Sequence, residues 1–280
     1  RLASARQPHP MVKLSIRNLF DVHSRRIEEL DFQQDIFIHH TLGLGDMIHF
    51  NGMVRYLLDD LSGDRKIHVF CKTRNAPMTR WMYRDEPRVE LVEIGPEESE
   101  GRAVQRALRR NRTKNFLCLG HRAMRPLLRK YPHTFFDPLF YLQAEVPYSI
   151  RYSHCYWARD HQQEERVYKK LITDKNMSRG GYAFVHDDPE RGYRVQTDRI
   201  ELPIVGNDIS ESIFHLGLVL ERAAEVHCME SSIRCMIESL KMQDVKLYYH
   251  NFRYPERPLG RATQLDWEQI EYANDPLRKS

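Results

Sequence analysis

Short apolar segments alternate with helical patterns through the first half of the chain. Four segments have the length and composition of buried strands: 35–40, 66–71, 89–94 and 115–119. Between them, apolar residues recur at helical spacing from 47 to about 61, and helices are also predicted at 77–84 and within 97–114. Strands that alternate with helices in this way form βαβ units. The first half is therefore predicted to be an α/β unit with a parallel sheet.

The same alternation starts again in the second half. Strands are predicted at 181–186, 225–229 and 245–250, and helices at 210–222 and 232–242. The segment 131–157 is rich in aromatic residues and prolines, and its apolar residues follow neither helical nor strand spacing. A charged helix is predicted after it at 159–172. We therefore predict an α/β protein with two Rossmann-like α/β/α domains, 1–160 and 161–280.

Composition narrows the class of protein less than the pattern does. Lys and Arg total 43 against 39 Asp and Glu, the formal net charge is +4, and 41% of the residues are hydrophobic. Such a hydrophobic fraction argues against a disordered chain. The small excess of positive charge does not indicate a nucleic-acid partner, although it is compatible with a local basic cleft for phosphates. The basic run 106–114 is interpreted as a solvated helix face, with nucleic-acid binding as the less favoured alternative.

The cysteines and the lengths of the apolar runs indicate the cellular location of the protein. The five cysteines form no CxxC pair, and four of them have apolar or aromatic neighbours, as buried thiols do: Cys71, Cys118, Cys155 and Cys228. This usage indicates a reducing compartment. No apolar run approaches the roughly 20 residues that a transmembrane helix needs. We therefore expect a cytoplasmic protein without a transmembrane segment.

The first candidate site is the loop 41–46, which joins a predicted strand to a predicted helix. Gly43 and Gly45 permit a tight turn and the close approach of another molecule, and the N–H groups of the next helix favour a negative group. The loop is not a GxGxxG dinucleotide motif, because the third position is Ile48, and it lacks the Lys-Ser/Thr pair of a Walker A loop. A plain strand-to-helix turn that Asp46 caps remains the alternative.

The second candidate site follows the predicted strand 225–229. Glu230, Ser231 and Ser232 stand at the mouth of the next helix, where hydroxyl and N–H groups converge in a way that suits a diphosphate. A serine helix cap without a ligand is the alternative interpretation.

The third candidate site is the loop after the predicted strand 181–186. His186 ends that strand, and Arg191 and Arg194 could neutralise a diphosphate. The adjacent carboxylates at 187 and 188 are interpreted as solvated rather than metal-binding. A zinc site at His39, His40 and His49 is disfavoured, because adjacent histidines on a strand point to opposite faces.

Two of these loops resemble one enzyme family. The segment GLGDMIHFNG, residues 43–52, resembles the N-terminal motif of heptosyltransferase-type GT-B glycosyltransferases, with Gly52 in place of a usual proline. The triplet 230–232 resembles the acidic-hydroxyl-small triplet of the same enzymes, with Cys235 where a histidine often follows. The resemblance implies two domains facing across a cleft, an acceptor-side loop containing Gly43, Gly45 and His49, and Asp46 as the catalytic base. It also implies donor contacts from 230–232 and inverting chemistry without a bound metal.

The sequence therefore predicts a glycosyltransferase that moves a sugar from a nucleotide-sugar donor to a hydroxyl of a glycan or glycoconjugate acceptor. The nucleotide-sugar is a substrate, so no cofactor is predicted. One alternative is a nucleotide-sugar epimerase or NAD-dependent enzyme, against which the missing GxGxxG counts. Another is a nucleotide-binding or nucleotide-sugar-binding α/β protein without transferase activity.

Overall fold

A computed structural model describes residues 24–120, 124–252, 259 and 263–272. The first sheet has four parallel strands in the order β3-β2-β1-β4. Their bounds are β1 (Ile36–His39), β2 (Ile67–Lys72), β3 (Val89–Ile94) and β4 (Phe116–Cys118). All four were predicted from the apolar segments, and the predicted bounds are correct to within a residue. The first half is thus the α/β unit that the pattern indicates.

The second sheet has five parallel strands in the order β6-β5-β7-β8-β9. Their bounds are β5 (Ala183–His186), β6 (Ile204–Gly206), β7 (Glu225–Met229), β8 (Lys246–His250) and β9 (Trp267–Ile270). Strands β5, β7 and β8 match the prediction, whereas β6 and β9 were not predicted. The α/β class with two parallel sheets is confirmed. The domain boundary near residue 160 stays a prediction.

Nine helices accompany the sheets in the described part of the chain. They are α1 (Leu44–Asp60), α2 (Ala76–Met82), α3 (Glu100–Arg110), α4 (Arg125–Lys130), α5 (Phe136–Gln143), α6 (Ile150–Ser153), α7 (His161–Leu171), α8 (Gly217–Glu221) and α9 (Ser232–Ile237). Helices α5 and α6 lie in the segment 131–157, which fitted neither period. Helix α3 buries Ala103, Val104, Ala107 and Leu108 and exposes the basic residues at its end, as a solvated helix face does.

Two predicted helices of the second half are shorter than expected. The helix predicted at 210–222 is a 3-10 turn, Ile213–His215, followed by α8. The Asp208 carboxylate accepts hydrogen bonds from the Ser210 N–H and hydroxyl, which makes a local turn instead of a helix cap. Helix α9 ends at Ile237 rather than 242, because the amides of Ser239 and Leu240 bond to carbonyls three residues back and tighten the chain.

Buried strands organise the core. All four residues of β1 are buried, and β5 and β7 bury most of theirs, as expected for parallel strands that are covered on both faces. Within the described residues the cysteines are all free thiols; Cys155 is partly exposed, contrary to the prediction, while Cys235 is buried. No helix in the described part of the chain has both the length and the apolar character to cross a membrane.

The strand order places three loops where parallel α/β sheets bind ligands. In the first sheet the order reverses between β1 and β4, and in the second sheet it reverses between β5 and β7. A crevice opens at the carboxyl ends of the strands at such a switch point. The loops after β1, β5 and β7 are the three candidate sites, and all three begin at these crevices.

Candidate active site

The first candidate loop ends earlier than the sequence predicts. Helix α1 begins at Leu44 with Gly43 as its N-cap, so Gly45 and Asp46 belong to the first helical turn instead of to the loop. The Gly43 backbone is extended, and its φ of −71° does not require glycine. A Cβ atom at this position would lie 2.9 Å from Asp46 Oδ2, so a larger residue would require the Asp46 carboxylate to move. The Asp46 carboxylate therefore folds back over the start of its own helix.

Burial determines the protonation of Asp46. Burial is the largest cause, and together with the carboxylates of Glu230 and Asp137 it raises the pKa of this carboxyl from 3.8 to about 6, although the Thr41 hydroxyl and the Gly43 N–H favour the charged form. A carboxylate with a pKa near 6 is ionised at neutral pH and still basic enough to accept a proton as it is released. The position and the protonation of Asp46 both suit a general base.

The second candidate site is built at the end of β7. Ser231 caps α9, and its side chain accepts a hydrogen bond from the Arg234 N–H at 3.3 Å. The Glu230 carboxylate is held from two sides: Arg234 Nε lies 3.1 Å from Oε2, and the Tyr249 hydroxyl donates to Oε2 at 3.4 Å. The serine cap that the sequence left as an alternative is present, and beside it stands an oriented carboxylate.

Helix α1 brings the two sites together. A Cβ atom on Gly45 would lie 3.2 Å from Cys235 Sγ and 3.6 Å from Ser232 Cα, so the first turn of α1 touches the start of α9. A Cβ atom at position 45 would require the Cys235 sulfur to shift by a few tenths of an ångström. The motif of the first half and the triplet of the second half therefore face each other, and the charge of Glu230 reaches Asp46.

A buried polar network surrounds this contact. Arg151 Nε donates to His49 Nδ1 at 2.8 Å, and His49 Nε2 lies 3.1 Å from Cys235 Sγ. Asp137 lies 3.8 Å from Arg151 Nε and accepts a hydrogen bond from the Tyr148 hydroxyl at 2.5 Å. Burial and the positive charges of Arg151 and Arg234 hold the pKa of His49 well below its ordinary value, so this ring is neutral.

Sequence reasoning missed four residues of the network. Asp137, Tyr148 and Arg151 lie in the segment 131–157, whose short helices left no periodic pattern to place them. Arg234 did leave a signal, since it stands between the apolar residues Ile233 and Cys235 in a predicted helix. A charged residue in that setting is buried only when it has partners, and Arg234 is 1% exposed.

Gly52, where the similar motif has proline, has a packing role. A Cβ atom at this position would lie 2.7 Å from the carbonyl oxygens of both Ile150 and Arg151. Glycine therefore lets α6 lie directly against α1, and α6 carries the arginine that binds His49.

The third candidate loop lies at the surface. His186 is half-buried and its Nδ1 has no hydrogen-bond partner among the described residues, and burial lowers its pKa. Arg191 is exposed and lies 3.4 Å from Asp188, and Arg194 is exposed as well. Among the described residues, neither arginine forms a hydrogen bond with Ser231 or Ser232, so their role toward a donor stays a prediction.

The histidines of the first half lie in separate environments. The His39 ring is buried with Nε2 at 3.5 Å from Glu100 Oε2, and the His40 ring stacks on Phe50 at 3.9 Å between centroids. In the described ranges, no three His, Cys, Asp or Glu side chains are grouped so that they could hold a metal ion.

Comparisons with known proteins give a fold-level similarity. No protein-family model and no curated protein sequence matches the chain. Among solved structures, it is similar to the glycosyl transferase family 9 protein from Veillonella parvula DSM 2008, at 10% identity over 90% of each chain with a TM-score of 0.53. A second similar structure is the E. coli ADP-heptose LPS heptosyltransferase II, at 12% identity over 85% of this chain and 90% of the other, with a TM-score of 0.43.

The fold therefore belongs to the class of two-sheet α/β folds found in a glycosyltransferase of family 9. The resemblance to heptosyltransferase-type GT-B enzymes, stated from two short motifs, is confirmed at the level of the fold by the family 9 structure.

Proposed function

We propose that the chain is a glycosyltransferase that moves a sugar from a nucleotide-sugar to a hydroxyl of a glycan or glycoconjugate. The observation that carries this proposal is the apposition of two sites: Asp46, whose pKa is raised to about 6, faces the triplet 230–232 across the contact between α1 and α9. A base on one half and a phosphate- and sugar-binding loop on the other are the two groups that sugar transfer needs.

In the proposed reaction the acceptor hydroxyl oxygen attacks the anomeric carbon of the donor sugar. As that carbon–oxygen bond forms, the bond from the anomeric carbon to the phosphate oxygen breaks, and its electron pair stays on the departing nucleoside diphosphate. The hydroxyl proton passes to the Asp46 carboxylate. A single displacement of this kind inverts the configuration at the anomeric carbon, as the family resemblance implies.

The leaving diphosphate gains negative charge during this step. The hydroxyl and N–H groups at Ser231 and Ser232 are suited to hold it, and His186, Arg191 and Arg194 are the further donor-binding residues of the proposal. With these groups available the proposal needs no bound metal.

Because α1 touches α9, we infer that the two halves separate to admit substrates and close to exclude water. We place the reaction in the cytoplasm, since the cysteines of the described residues are free.

A nucleoside diphosphate is expected to stabilise the purified protein against thermal unfolding. A ligand at one hundred times its dissociation constant stabilises by about 2.7 kcal/mol, which shifts the melting temperature by several degrees. The measurement is a thermal-shift screen against UDP, GDP, ADP, CMP and their sugars, with NAD as the control ligand. Release of nucleoside diphosphate from the donor that shifts the melting temperature most is then assayed with candidate glycan acceptors.

The outcomes of the screen separate the alternatives. Stabilisation by one nucleoside diphosphate with turnover of its sugar supports the proposal and identifies the donor class. Stabilisation without turnover of any donor favours a nucleotide-binding protein without transferase activity. A response to NAD alone would replace the proposal with an oxidoreductase or epimerase.

A further inference from the structure

His49 is a side chain of α1 that contacts the second half directly. It lies one helical turn beyond Asp46, it is 5% exposed, and its two ring nitrogens contact different halves of the protein. Nδ1 faces Arg151 on α6, whereas Nε2 faces Cys235 on α9. The ring therefore bridges the contact across which the proposed reaction takes place.

Arg151 fixes the tautomer of this ring. A guanidinium has only donors, so the 2.8 Å contact from Arg151 Nε requires His49 Nδ1 to be the acceptor. The ring is neutral, so its single proton is on Nε2. The Asp137 carboxylate lies beside both groups, with Oδ2 at 3.8 Å from Arg151 Nε and 3.6 Å from His49 Nδ1, and its charge favours the arginine at this place. This arrangement of a carboxylate, an arginine and a histidine presents a defined N–H group to the second half.

The group that receives this N–H is a poor acceptor. A thiol sulfur accepts hydrogen bonds weakly, and Cys235 Sγ is already directed to the Ser231 carbonyl oxygen at 3.1 Å. A merely structural histidine would gain more from a carbonyl or carboxylate partner in so buried a place. The hydrogen bond from Arg151 therefore fixes the orientation of the ring, whereas the contact with Cys235 stabilises it only weakly.

We propose that His49 is a catalytic residue whose Nε2–H donates a hydrogen bond to a phosphate oxygen of the departing nucleoside diphosphate. This inference rests on the proposed function and adds the residue that stabilises the leaving group from the first half. When the halves separate and the donor enters, the phosphate oxygen replaces the thiol. The negative charge that develops there makes a stronger hydrogen bond than the ground-state phosphate does, so the N–H accelerates the transfer step. Arg151 is a positioning residue that acts through His49.

Two substitutions, His49→Asn and His49→Gln, distinguish the effect of losing the Nε2–H donor from the effect of losing the imidazole ring. The amide nitrogen of glutamine reaches the place of Nε2, whereas that of asparagine reaches only the place of Nδ1. His49→Asn is expected to lower kcat by about 10²- to 10³-fold, the loss typical of one oxyanion donor, with the donor KM changed less than about threefold. His49→Gln is expected to keep activity within about tenfold of the wild type. His154→Asn, on a histidine outside the contact, is the matched control.

The ring nitrogens of the wild-type protein give a readout that a structural role would not produce. The ¹⁵N shifts of His49 are expected to show a protonated Nε2 and an unprotonated Nδ1. The Nε2 signal is expected to move when the nucleoside diphosphate chosen by the thermal screen is added. An Nδ1–H tautomer, or an unmoved Nε2 signal at saturating diphosphate, would overturn the inference even if both variants fail to fold.

Failure of this inference is distinguishable from failure of the proposed function. If a nucleoside diphosphate binds and transfer proceeds, but His49→Asn turns over like the wild type, only the role of His49 is wrong. If both variants fold and lose activity equally, the Nε2–H donor does not determine the rate, and the inference is also wrong. If no nucleoside diphosphate binds and no donor is turned over, the proposed function fails and the role of His49 fails with it.

Discussion

Asp46→Asn is expected to lower the rate of sugar transfer by about 10³-fold while leaving the fold and the donor affinity intact. A positioned general base contributes about 10²- to 10⁴-fold, and asparagine keeps the size and polarity of the side chain but cannot accept the proton. The measurement is kcat and donor KM, with circular dichroism to confirm folding. Asp60→Asn, on an exposed aspartate at the other end of α1, is the matched control.

The pH dependence tests the same assignment in the wild-type protein. Because the pKa of Asp46 is raised to about 6, kcat/KM is expected to fall about tenfold per pH unit below pH 6 as the base becomes protonated. A group with its ordinary pKa of 3.8 would keep activity constant down to about pH 4. An acid limb near pH 4 would contradict the raised pKa of Asp46, and full activity in Asp46→Asn would remove the base role from this residue.

Stability is expected to change in the opposite direction to activity. The pKa of the Asp46 carboxyl is about two units higher in the folded protein than in the unfolded chain. Each unit of this pKa difference corresponds to about 1.4 kcal/mol, so the ionised carboxylate lowers the free energy of unfolding above pH 6. Asp46→Asn removes that cost and is expected to stabilise the protein by up to about 3 kcal/mol at pH 8. The difference should shrink as the pH falls through 6 toward 4, where the wild-type carboxyl is protonated in the folded state. Chemical denaturation at pH 8 and pH 4 measures it.

The sheets could be predicted from the sequence because buried parallel strands leave continuous apolar segments. Strand β3 was predicted with both ends correct, and β1 and β8 to within a residue. Strand β6 has three residues of which only Val205 is buried, so it leaves no such segment. The break between the turn at 213–215 and α8 could not be predicted from apolar spacing, since Ile213, Leu216 and Leu220 are buried as a continuous helix would bury them.

The candidate site could be predicted only in part. The loops after β1 and β7 were found because glycines, an aspartate and serines directly follow apolar strands. Their contact could not be predicted, because it depends on how α1 meets α9, and no local pattern encodes packing between elements 186 residues apart, such as His49 and Cys235. The roles of Arg151 and Asp137 could not be predicted for the same reason, because these residues reach the site only when α5 and α6 pack beside α1.

Gly52→Ala is expected to destabilise the protein by about 2 kcal/mol, although alanine is the better helix former. In an unobstructed helix this change stabilises by up to about 1 kcal/mol. Here the new Cβ atom would lie 2.7 Å from the carbonyl oxygens of Ile150 and Arg151, and both are backbone atoms that no side-chain rotation can move away. Overpacking of this kind costs about 1 to 3 kcal/mol. A drop of several degrees in melting temperature is the expected result.

Gly95→Ala is the matched control, because its Cβ atom would meet nothing within 4 Å and its φ lies outside the positive range. Its melting temperature is expected to stay close to that of the wild type. The collision at position 52 should also displace α6 and lengthen the contact from Arg151 to His49, so Gly52→Ala should shift the His49 ring toward a mixture of tautomers. If Gly52→Ala were as stable as Gly95→Ala and kept the Nε2–H tautomer, α6 would not lie against α1, and Arg151 could not be the group that orients His49.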